Sequence, residues 1–324
     1  MKAIRIVPSP QGGQVQLHNV PMPEPGPGQV LVRVRAAGVN RGEIGMAAYL
    51  KTGAPVPSGV EFAGEVARAG QDVQGWQVGD RVMGHGNGGH AEYVLADPRA
   101  LMRVPDGIDW VQAGAFPNVF MTAHDALITN AQMAPGETVL VNAASSGIGL
   151  AAIQIARLMG AGQVIATSRS ADKLARLGAF GIDLGIDTSH EDQAAAVKAA
   201  TDGRGVDIII DSLGGGAVFE ANLKSLAVKG RLVNIGRLAS STAQINLDLL
   251  WLKRLKLIGV TFRTRSEQER LDVVQACARD LLPFLQAGRI RMPIERTYPL
   301  ADLARAHEAM NEDRHVGKFV LTVD

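Results

Sequence analysis

The pattern of apolar and polar residues changes near residue 118. Before that point, short runs that alternate or are rich in β-branched residues are separated by turn residues. These runs cover 30–35, 64–68, 79–84 and 90–95. Period-two alternation bounded by Gly, Pro and Asn is typical of half-buried strands. We therefore predict a β-rich first segment.

After residue 118, apolar runs of strand length alternate with helical stretches. The runs cover 138–141, 164–167, 206–210, 230–234 and 256–260. Apolar strands separated by helices are typical of a parallel sheet that is covered on both faces. The pattern then predicts a long helix over 267–287, a strand near Arg296, a helix from Leu300 and a last strand over 318–323. The predicted fold class is α/β, with a doubly wound parallel sheet of Rossmann type and a β-rich domain.

Composition narrows the function classes. The 324 residues suggest two domains, and a net charge of +1 with 46% hydrophobic residues does not indicate a nucleic-acid surface. No apolar run approaches the roughly 18 residues of a membrane span, and the opening residues do not resemble a signal peptide. The single cysteine, Cys277, fits a reducing compartment. We expect a cytoplasmic protein without nucleic-acid or membrane partners.

The motif NAASSGIG at 142–149 follows the strand TVLV and opens an apolar helix. Small residues let the backbone approach a pyrophosphate, and the helix N-terminus supplies N–H groups and partial positive charge. The motif departs from G-x-G-x-x-G because Asn142 and Ala144 replace the first two glycines. A structural turn between strand and helix is the alternative. The candidate cofactor residues of this turn are Asn142, Ser145, Ser146, Gly147 and Ile148.

The end of the second Rossmann strand indicates which dinucleotide binds. An NAD enzyme places Asp or Glu there for the ribose 2′-hydroxyl. This chain has Ser168 and Arg169, with Lys173 one turn later. A hydroxyl and two cations suit a 2′-phosphate, so the sequence favours NADPH. A solvated basic helix start is the alternative.

The phosphate turn also occurs in short-chain dehydrogenases, which need a tyrosine with a lysine four residues later. The residues four positions after the three tyrosines are Gly53, Asp97 and Asp302. The catalytic tyrosine–lysine pair is missing, so the sequence does not indicate a short-chain dehydrogenase.

Several motifs in order resemble the medium-chain dehydrogenase/reductase superfamily, and within it the zinc-free, zeta-crystallin-like quinone oxidoreductases. The resemblance covers the whole chain and is carried by AGVNRGE (37–43), GVEFAGEV (59–66), GDRV (79–82), MTAHDAL (121–127), the phosphate turn, VDIIIDSLGG (206–215) and HVGKFVL (315–321). It implies a GroES-like catalytic domain built from residues 1–119 and 263–324 around a Rossmann domain at 120–262.

The resemblance also implies residues that line the dinucleotide. These are Asn40, Thr122, Gly147, Ile148, Leu213, Gly236 and Lys318. Lys318 is equally consistent with an exposed strand residue.

A catalytic zinc is not expected. Zinc-dependent relatives carry Gly-His-Glu where this chain has Gly59, Val60 and Glu61, and structural zinc requires four thiolates. Helical spacing makes Cys277 a core residue. We interpret His85 and His90, in a glycine-rich segment, as loop or surface histidines.

Catalysis without a metal needs a hydrogen-bond donor and a proton for the reduced oxygen. Relatives carry a tyrosine two residues after the acid that matches Glu43, where this chain has Gly45. Asn40, Tyr49 and Arg263 are the candidates, although Tyr49 is equally consistent with packing, and Arg263 and Arg265 with solvation or a subunit contact. Water is the alternative proton source for quinones.

The sequence leaves three functions open. The first is an NADPH-dependent reductase of quinones or α,β-unsaturated carbonyls. The second is an enoyl-thioester reductase of the same superfamily, and the third is a non-catalytic, crystallin-like NADPH-binding protein. We also predict a homodimer, because residues 256–262 form an apolar sixth strand at one edge of the Rossmann sheet, without the proline or inward charge that protects an edge. A helix or loop that covers this edge is the alternative.

Overall fold

The chain divides into two units, and the computed structural model describes all 324 residues. The first unit comprises Met1–Met121 and Ser266–Asp324, and the second comprises Thr122–Arg265. The sequence placed these boundaries after residues 119 and 262, and the structure places them after Met121 and Arg265.

Sixteen strands build the sheets. In chain order they are β1 (Lys2–Val7), β2 (Gln14–Asn19), β3 (Val30–Gly38), β4 (Val56–Pro57), β5 (Glu61–Ala69), β6 (Arg81–His85), β7 (Tyr93–Ala96), β8 (Leu101–Arg103), β9 (Thr138–Val141), β10 (Gln163–Ser168), β11 (Leu184–Asp187), β12 (Val206–Asp211), β13 (Leu226–Asn234), β14 (Lys256–Gly259), β15 (Ile294–Pro299) and β16 (Lys318–Thr322).

Ten α-helices connect them. They are α1 (Arg41–Tyr49), α2 (Trp110–Gly114), α3 (Pro117–His124), α4 (Gly147–Leu158), α5 (Ala171–Leu177), α6 (Gln193–Ala200), α7 (Ala217–Ser225), α8 (Leu247–Leu252), α9 (Glu267–Gln286) and α10 (Leu303–Asn311). A π-helical segment, Asp125–Asn130, follows α3. Short 3₁₀ turns lie at Pro98–Ala100, Gly178–Phe180 and Leu300–Asp302.

The first unit contains two sheets. The smaller has the order β2-β1-β4, and the larger has the order β15-β16-β3-β5-β6-β8, with β7 paired to β3. Most of the larger sheet is antiparallel, and β16 returns from the far end of the sequence to pair with β3. Alternating apolar residues of β3, such as Val32 and Val34, pack with Phe62, Leu303 and Leu321 in one core. This is the β-rich domain that the sequence predicted.

The second unit is a six-stranded parallel sheet with the order β11-β10-β9-β12-β13-β14. Its strands are apolar runs, and Leu140, Ile165, Ile209 and Leu232 are fully or almost fully buried in its core. The order reverses between β9 and β12, and ligands of such sheets bind beyond the carboxyl ends of the strands at that point. The predicted doubly wound fold is therefore confirmed, including β14 as the sixth strand at the edge.

The predicted strand over 256–262 is too long. The strand ends at Gly259, since β13, its partner, ends at Asn234. Val260 makes one further backbone hydrogen bond to Asn234, and beyond it the sheet offers no partner strand.

Candidate functional site

The phosphate turn lies between β9 and α4 in the second unit. Ser146 caps the helix, because its hydroxyl accepts a hydrogen bond from the amide of Gly149 at 3.1 Å. A Cβ atom on Gly149 would lie 2.6 Å from the carbonyl oxygen of Ala144, so the turn is too tight for a side chain there. The amides of Gly147 and Ile148 occupy the first helical turn, where the helix itself provides no acceptor. The turn therefore presents N–H donors, and the half-buried Ser145 lies beside them.

Asn142 lies in the turn as the sequence predicted, but its side chain is directed into the protein interior. Its side chain is 1% exposed, accepts a hydrogen bond from Thr167 at 2.7 Å and donates one to Asn222 at 2.8 Å. It also donates to Asp211 at 3.4 Å. These contacts join the end of β9 to β10, β12 and α7. The buried Asn142 side chain therefore holds the turn in place from the protein interior.

Asp211 is a member of this network that sequence reasoning missed. Its buried carboxylate accepts hydrogen bonds from the amides of Leu213 and Gly214 at 2.9 and 3.0 Å. Burial raises the pKa of Asp211, and these two backbone hydrogen bonds oppose the shift. The only signal in the sequence was an acid at the end of an apolar strand, shortly before a glycine pair.

Leu213 and Gly236 follow β12 and β13 at the same edge of the sheet. A Cβ atom on Gly236 would lie 2.6 Å from the carbonyl oxygen of Ser212, so the two loops approach each other closely. Thr122 is buried in α3, also in the second unit. The structure thus brings the loop residues to the carboxyl edge at which the strand order reverses.

The end of β10 carries the residues predicted to choose the dinucleotide. Ser168 accepts a hydrogen bond from the amide of Ser170 at 3.2 Å, and Ser170 caps α5 by accepting one from the amide of Lys173 at 3.4 Å. Arg169 is exposed between them. Asp187 lies opposite Ser168 in the neighbouring strand, and hydrogen bonds from Ser189 lower its pKa. The cluster therefore combines two cations, Arg169 and Lys173, with two acids, Asp187 and the Asp172 of the first turn of α5.

A buried ion pair lies at the centre of the polar residues of the first unit. Lys318 donates to Glu61 and, at 2.9 Å, to the side-chain oxygen of Asn40. Asn40 donates to Glu61 at 2.8 Å and more weakly to Gly38 at 3.4 Å. Asn118 donates its backbone amide to Glu61 at 2.8 Å and its side-chain amide to Asn40 at 2.9 Å. The side-chain NH₂ group of Asn40 therefore donates to two acceptors of the protein, the Glu61 carboxylate and the carbonyl oxygen of Gly38.

Glu43 and His90 extend this network. The carboxylate of Glu43 accepts from the amides of Asn40 and Val60 at 3.0 and 3.1 Å. Burial raises the pKa of Glu43, and the neighbouring His90 partly opposes the shift. The ring of His90 lies within hydrogen-bonding distance of Ser58 and of the carbonyl oxygen of Gly38.

The prediction that His90 is a surface histidine is wrong, whereas His85 keeps part of its surface exposed. His90 is completely buried, because its ring fills the space above Gly59, where a Cβ atom would lie 2.7 Å from the ring. His85 is half-buried at the end of β6 and hydrogen-bonds to Asn118. The glycines around these histidines made the segment resemble a surface loop.

The other predicted residues are distributed as follows. Lys318 is buried and ion-paired, so it is not an exposed strand residue. Tyr49 is 75% exposed at the end of α1, and Arg263 is exposed after β14. Arg265 pairs with the buried Asp125 at 2.6 Å. The structure does not place Tyr49 in the Glu61–Lys318 network.

No group of three or more His, Cys, Asp or Glu side chains is arranged to hold a metal ion. Cys277 is buried in α9, and burial raises the pKa of its thiol. No helix is long and apolar enough to cross a membrane.

Two family models match the chain. Residues 26–106 match the alcohol dehydrogenase GroES-like domain, and residues 147–278 match a family described as zinc-binding dehydrogenase. A quinone oxidoreductase of Pseudomonas aeruginosa is 35% identical over 307 residues, which cover 92% of this chain and 92% of that protein.

A phenolphthiocerol synthesis polyketide synthase of Mycobacterium marinum is also 35% identical, over 299 residues. The match covers 91% of this chain but only 14% of the synthase. Among solved structures, a mycobacterial protein in complex with NADPH superposes with a TM-score of 0.90 at 28% identity, and the match covers 100% of both chains.

Proposed function

This chain belongs to the zinc-free quinone oxidoreductase branch of the medium-chain dehydrogenase/reductase superfamily, and we propose that it transfers a hydride from NADPH to a quinone or an α,β-unsaturated carbonyl compound. As a member of this superfamily, the chain is an oxidoreductase. Our proposal adds the cofactor, NADPH, and the class of substrate. The observation that carries it is the phosphate turn at the point where the strand order of the parallel sheet reverses.

The residues of the second unit fit a dinucleotide. The amides of Gly147 and Ile148, with Ser145 beside them, would hold the pyrophosphate. The close approach of backbone at Gly149 and Gly236 leaves no room for larger side chains. Leu213 and Gly236 lie at the same edge of the sheet. They would line the cofactor, because they match positions that line the dinucleotide in the family that the chain resembles.

The choice of NADPH rests on Ser168, Arg169 and Lys173. A guanidinium and an ammonium next to a helix N-terminus favour a 2′-phosphate over a 2′-hydroxyl. Two acids oppose this choice, Asp172 in the first turn of α5 and Asp187 in the neighbouring strand. The Asp187 carboxylate is engaged by Ser189. The mycobacterial protein that superposes on this chain was solved in complex with NADPH, and this similarity supports the same choice of cofactor.

NADPH, when bound, supplies a hydride, and the reduced substrate must then gain a proton. The first unit contributes the acid–base residues. The Lys318 ammonium pairs with the buried Glu61 carboxylate, and together they fix Asn40 and Asn118. We assign no step to a metal ion, because the Gly-Val-Glu sequence of this chain lacks the histidine ligand.

The test is a panel of acceptors with purified protein, in which NADPH oxidation is followed by absorbance. The panel contains 1,4-benzoquinone, cyclohex-2-enone and crotonyl-CoA. Turnover of the first two supports the proposal. NADPH binding without oxidation by any acceptor would indicate the non-catalytic, crystallin-like alternative, and no NADPH binding at all contradicts the proposal.

The polyketide synthase relatives favour a second candidate, an enoyl-thioester reductase. The stretch of the Mycobacterium marinum synthase that matches covers most of this chain, and the structure of an enoyl reductase-type cyclopropanase from curacin A biosynthesis superposes with a TM-score of 0.87 at 27% identity. A kcat/KM for crotonyl-CoA at least tenfold above that for cyclohex-2-enone would select this candidate.

A further inference from the structure

The buried polar side chains of the first unit form one connected network. Its fully buried members are Glu43, Ser58, Glu61, His90 and Lys318. Ser58 lies within hydrogen-bonding distance of His90, and His90 lies next to Glu43. Asn40 donates to both Glu43 and Glu61, and Glu61 pairs with Lys318. A buried polar network of this kind lowers the stability of the fold unless every polar group in it has a hydrogen-bond partner.

Three half-buried side chains connect this network to the surface: Asn40, His85 and Asn118. Asparagine amides do not titrate near neutral pH. An imidazole does, and its unperturbed pKa of about 6.5 makes it the usual proton donor of active sites. His85 is therefore the one group at the exposed end of the network that can release a proton and regain it from water.

The backbone fixes the position of His85. His85 and Glu61 are directly opposite each other in the antiparallel pairing of β6 and β5, and such residues project from the same face of a sheet. The His85 ring also hydrogen-bonds to the side chain of Asn118. Asn118 in turn donates to both Glu61 and Asn40, so the imidazole is oriented by the same residues that hold the ion pair.

The charges around the ring suit proton transfer. Burial lowers the pKa of His85, and Arg270 from α9 lowers it further. Glu61 from β5 and the hydrogen bond with Asn118 from α3 act in the opposite direction. An imidazolium with a lowered pKa is a stronger acid, and negative charge that develops on a nearby oxygen draws its proton away.

We propose that the His85 imidazolium contacts the carbonyl oxygen of the substrate and gives it the proton that balances the hydride. This inference rests on the proposed reductase function. In the step, the N–H bond of the imidazolium breaks, its electron pair stays on the ring, and an O–H bond forms on the enolate or hydroquinone oxygen. Water then returns a proton to His85. Tyr49 and Arg263, the candidates from the sequence, are both exposed and outside this network.

The test compares wild type, His85→Asn and a matched control, His18→Asn in the other sheet of the same unit. With cyclohex-2-enone, we expect His85→Asn to lower kcat about 100-fold, the usual contribution of a general acid, and to leave KM and NADPH binding nearly unchanged. With 1,4-benzoquinone, the loss should be below about tenfold, because water can protonate the hydroquinone oxygens. Imidazole in the buffer should partly restore the rate of His85→Ala.

The pH profile separates a proton donor from a structural residue. In wild type, kcat with the enone should fall as the pH rises above the pKa of His85, because only the protonated ring donates. His85→Asn should lose this descending limb, and His18→Asn should keep it. Equal rates and equal pH profiles in wild type and His85→Asn overturn the inference while leaving the reductase function intact.

A second measurement is independent of turnover. Hydroquinone, a product analogue, should shift the NMR signals of the His85 ring nitrogens, with no shift in those of His18. If wild type oxidises no NADPH with any acceptor, the reductase function fails. An unchanged His85 signal in the presence of saturating hydroquinone overturns the role of His85 whether or not the enzyme turns over.

Discussion

Lys318 hydrogen-bonds to Glu61 across 257 residues of sequence, and their side chains are only 3% and 0% exposed. Removing one partner of a buried ion pair leaves the other charge without compensation, which typically costs about 3–5 kcal/mol. We therefore expect Lys318→Met to lower the free energy of unfolding by about that amount. Urea denaturation followed by tryptophan fluorescence and circular dichroism measures the change.

The double variant Glu61→Gln/Lys318→Met is the control for this prediction. It removes both charges, so part of the lost stability should return. A loss for Lys318→Met in the range of an exposed pair, about 0–1 kcal/mol, contradicts the prediction.

NADPH should bind at least tenfold more tightly than NADH. The expected difference is about 1.4 kcal/mol, the contribution of one good charge-assisted contact to the 2′-phosphate. Arg169→Ala should remove most of the preference and leave NADH binding little changed. Arg176→Ala, in the last turn of α5, is the matched control and should keep the preference. Equal dissociation constants for NADPH and NADH in wild type, measured by calorimetry, reject the assignment.

The purified protein should contain no stoichiometric zinc. The reason is chemical, because Val60 stands where zinc-dependent relatives have a histidine ligand and the one thiol, Cys277, lies buried in α9. Elemental analysis and a reductase assay with and without EDTA check this. About one zinc per chain, or loss of activity in the chelator, would show that a metal site exists.

His307 should make the stability depend on pH. Burial lowers its pKa from 6.5 to about 4, and the nearby His90 adds to the shift. Between these two values the unfolded state binds more protons than the folded state. The free energy of unfolding should therefore fall as the pH is lowered from 6.5 to 4, by at most about 1.4 kcal/mol per pH unit. Above pH 6.5 the ring is mostly neutral in both states, and this contribution is constant.

Urea denaturation at several pH values measures this slope. His307→Gln should reduce it, and His190→Gln, at an exposed position, should leave it unchanged. The same slope in wild type and His307→Gln would assign the acid sensitivity to other groups.

The Rossmann unit was predictable because its signals are local. The apolar run before residue 142, the small residues of the turn and the helix after Gly147 are contiguous, and each element follows from a short stretch of sequence. The edge position of the sixth strand was likewise predicted from its place after the fifth strand in the sequence. Leu213 and Gly236 came instead from the family resemblance, and the structure places them in the loops that follow β12 and β13.

The buried network was not predictable in this way. Glu61 and Lys318 meet only because β16 returns from the far end of the chain to pair with β3, and no local pattern contains that pairing. The burial of His90 likewise depends on tertiary packing above Gly59. Asn142 was correctly placed at the turn, but the direction of its side chain depends on Thr167 and Asn222, which belong to other elements.

The last prediction concerns the edge of the Rossmann sheet. β14 pairs only with β13, and Leu257 on it is 42% exposed. The preceding helix, α8, exposes three large apolar side chains, Leu247, Trp251 and Leu252, at 65%, 72% and 64%. An open edge beside an exposed apolar patch is unfavourable in water and usually marks an interface. We therefore propose a homodimer in which β14 pairs with its two-fold mate and the α8 side chains are covered.

Ile258→Lys tests this proposal, because a charge on β14 would have to be buried in the interface. We expect the variant to sediment as a monomer at micromolar concentration and to unfold at a lower temperature than wild type. Leu17→Lys, at a 40% exposed position on β2 of the first unit, is the matched control and should remain dimeric. Since the apolar edge would be left open in a monomer, wild type that sediments as a monomer at micromolar concentration counts decisively against the dimer.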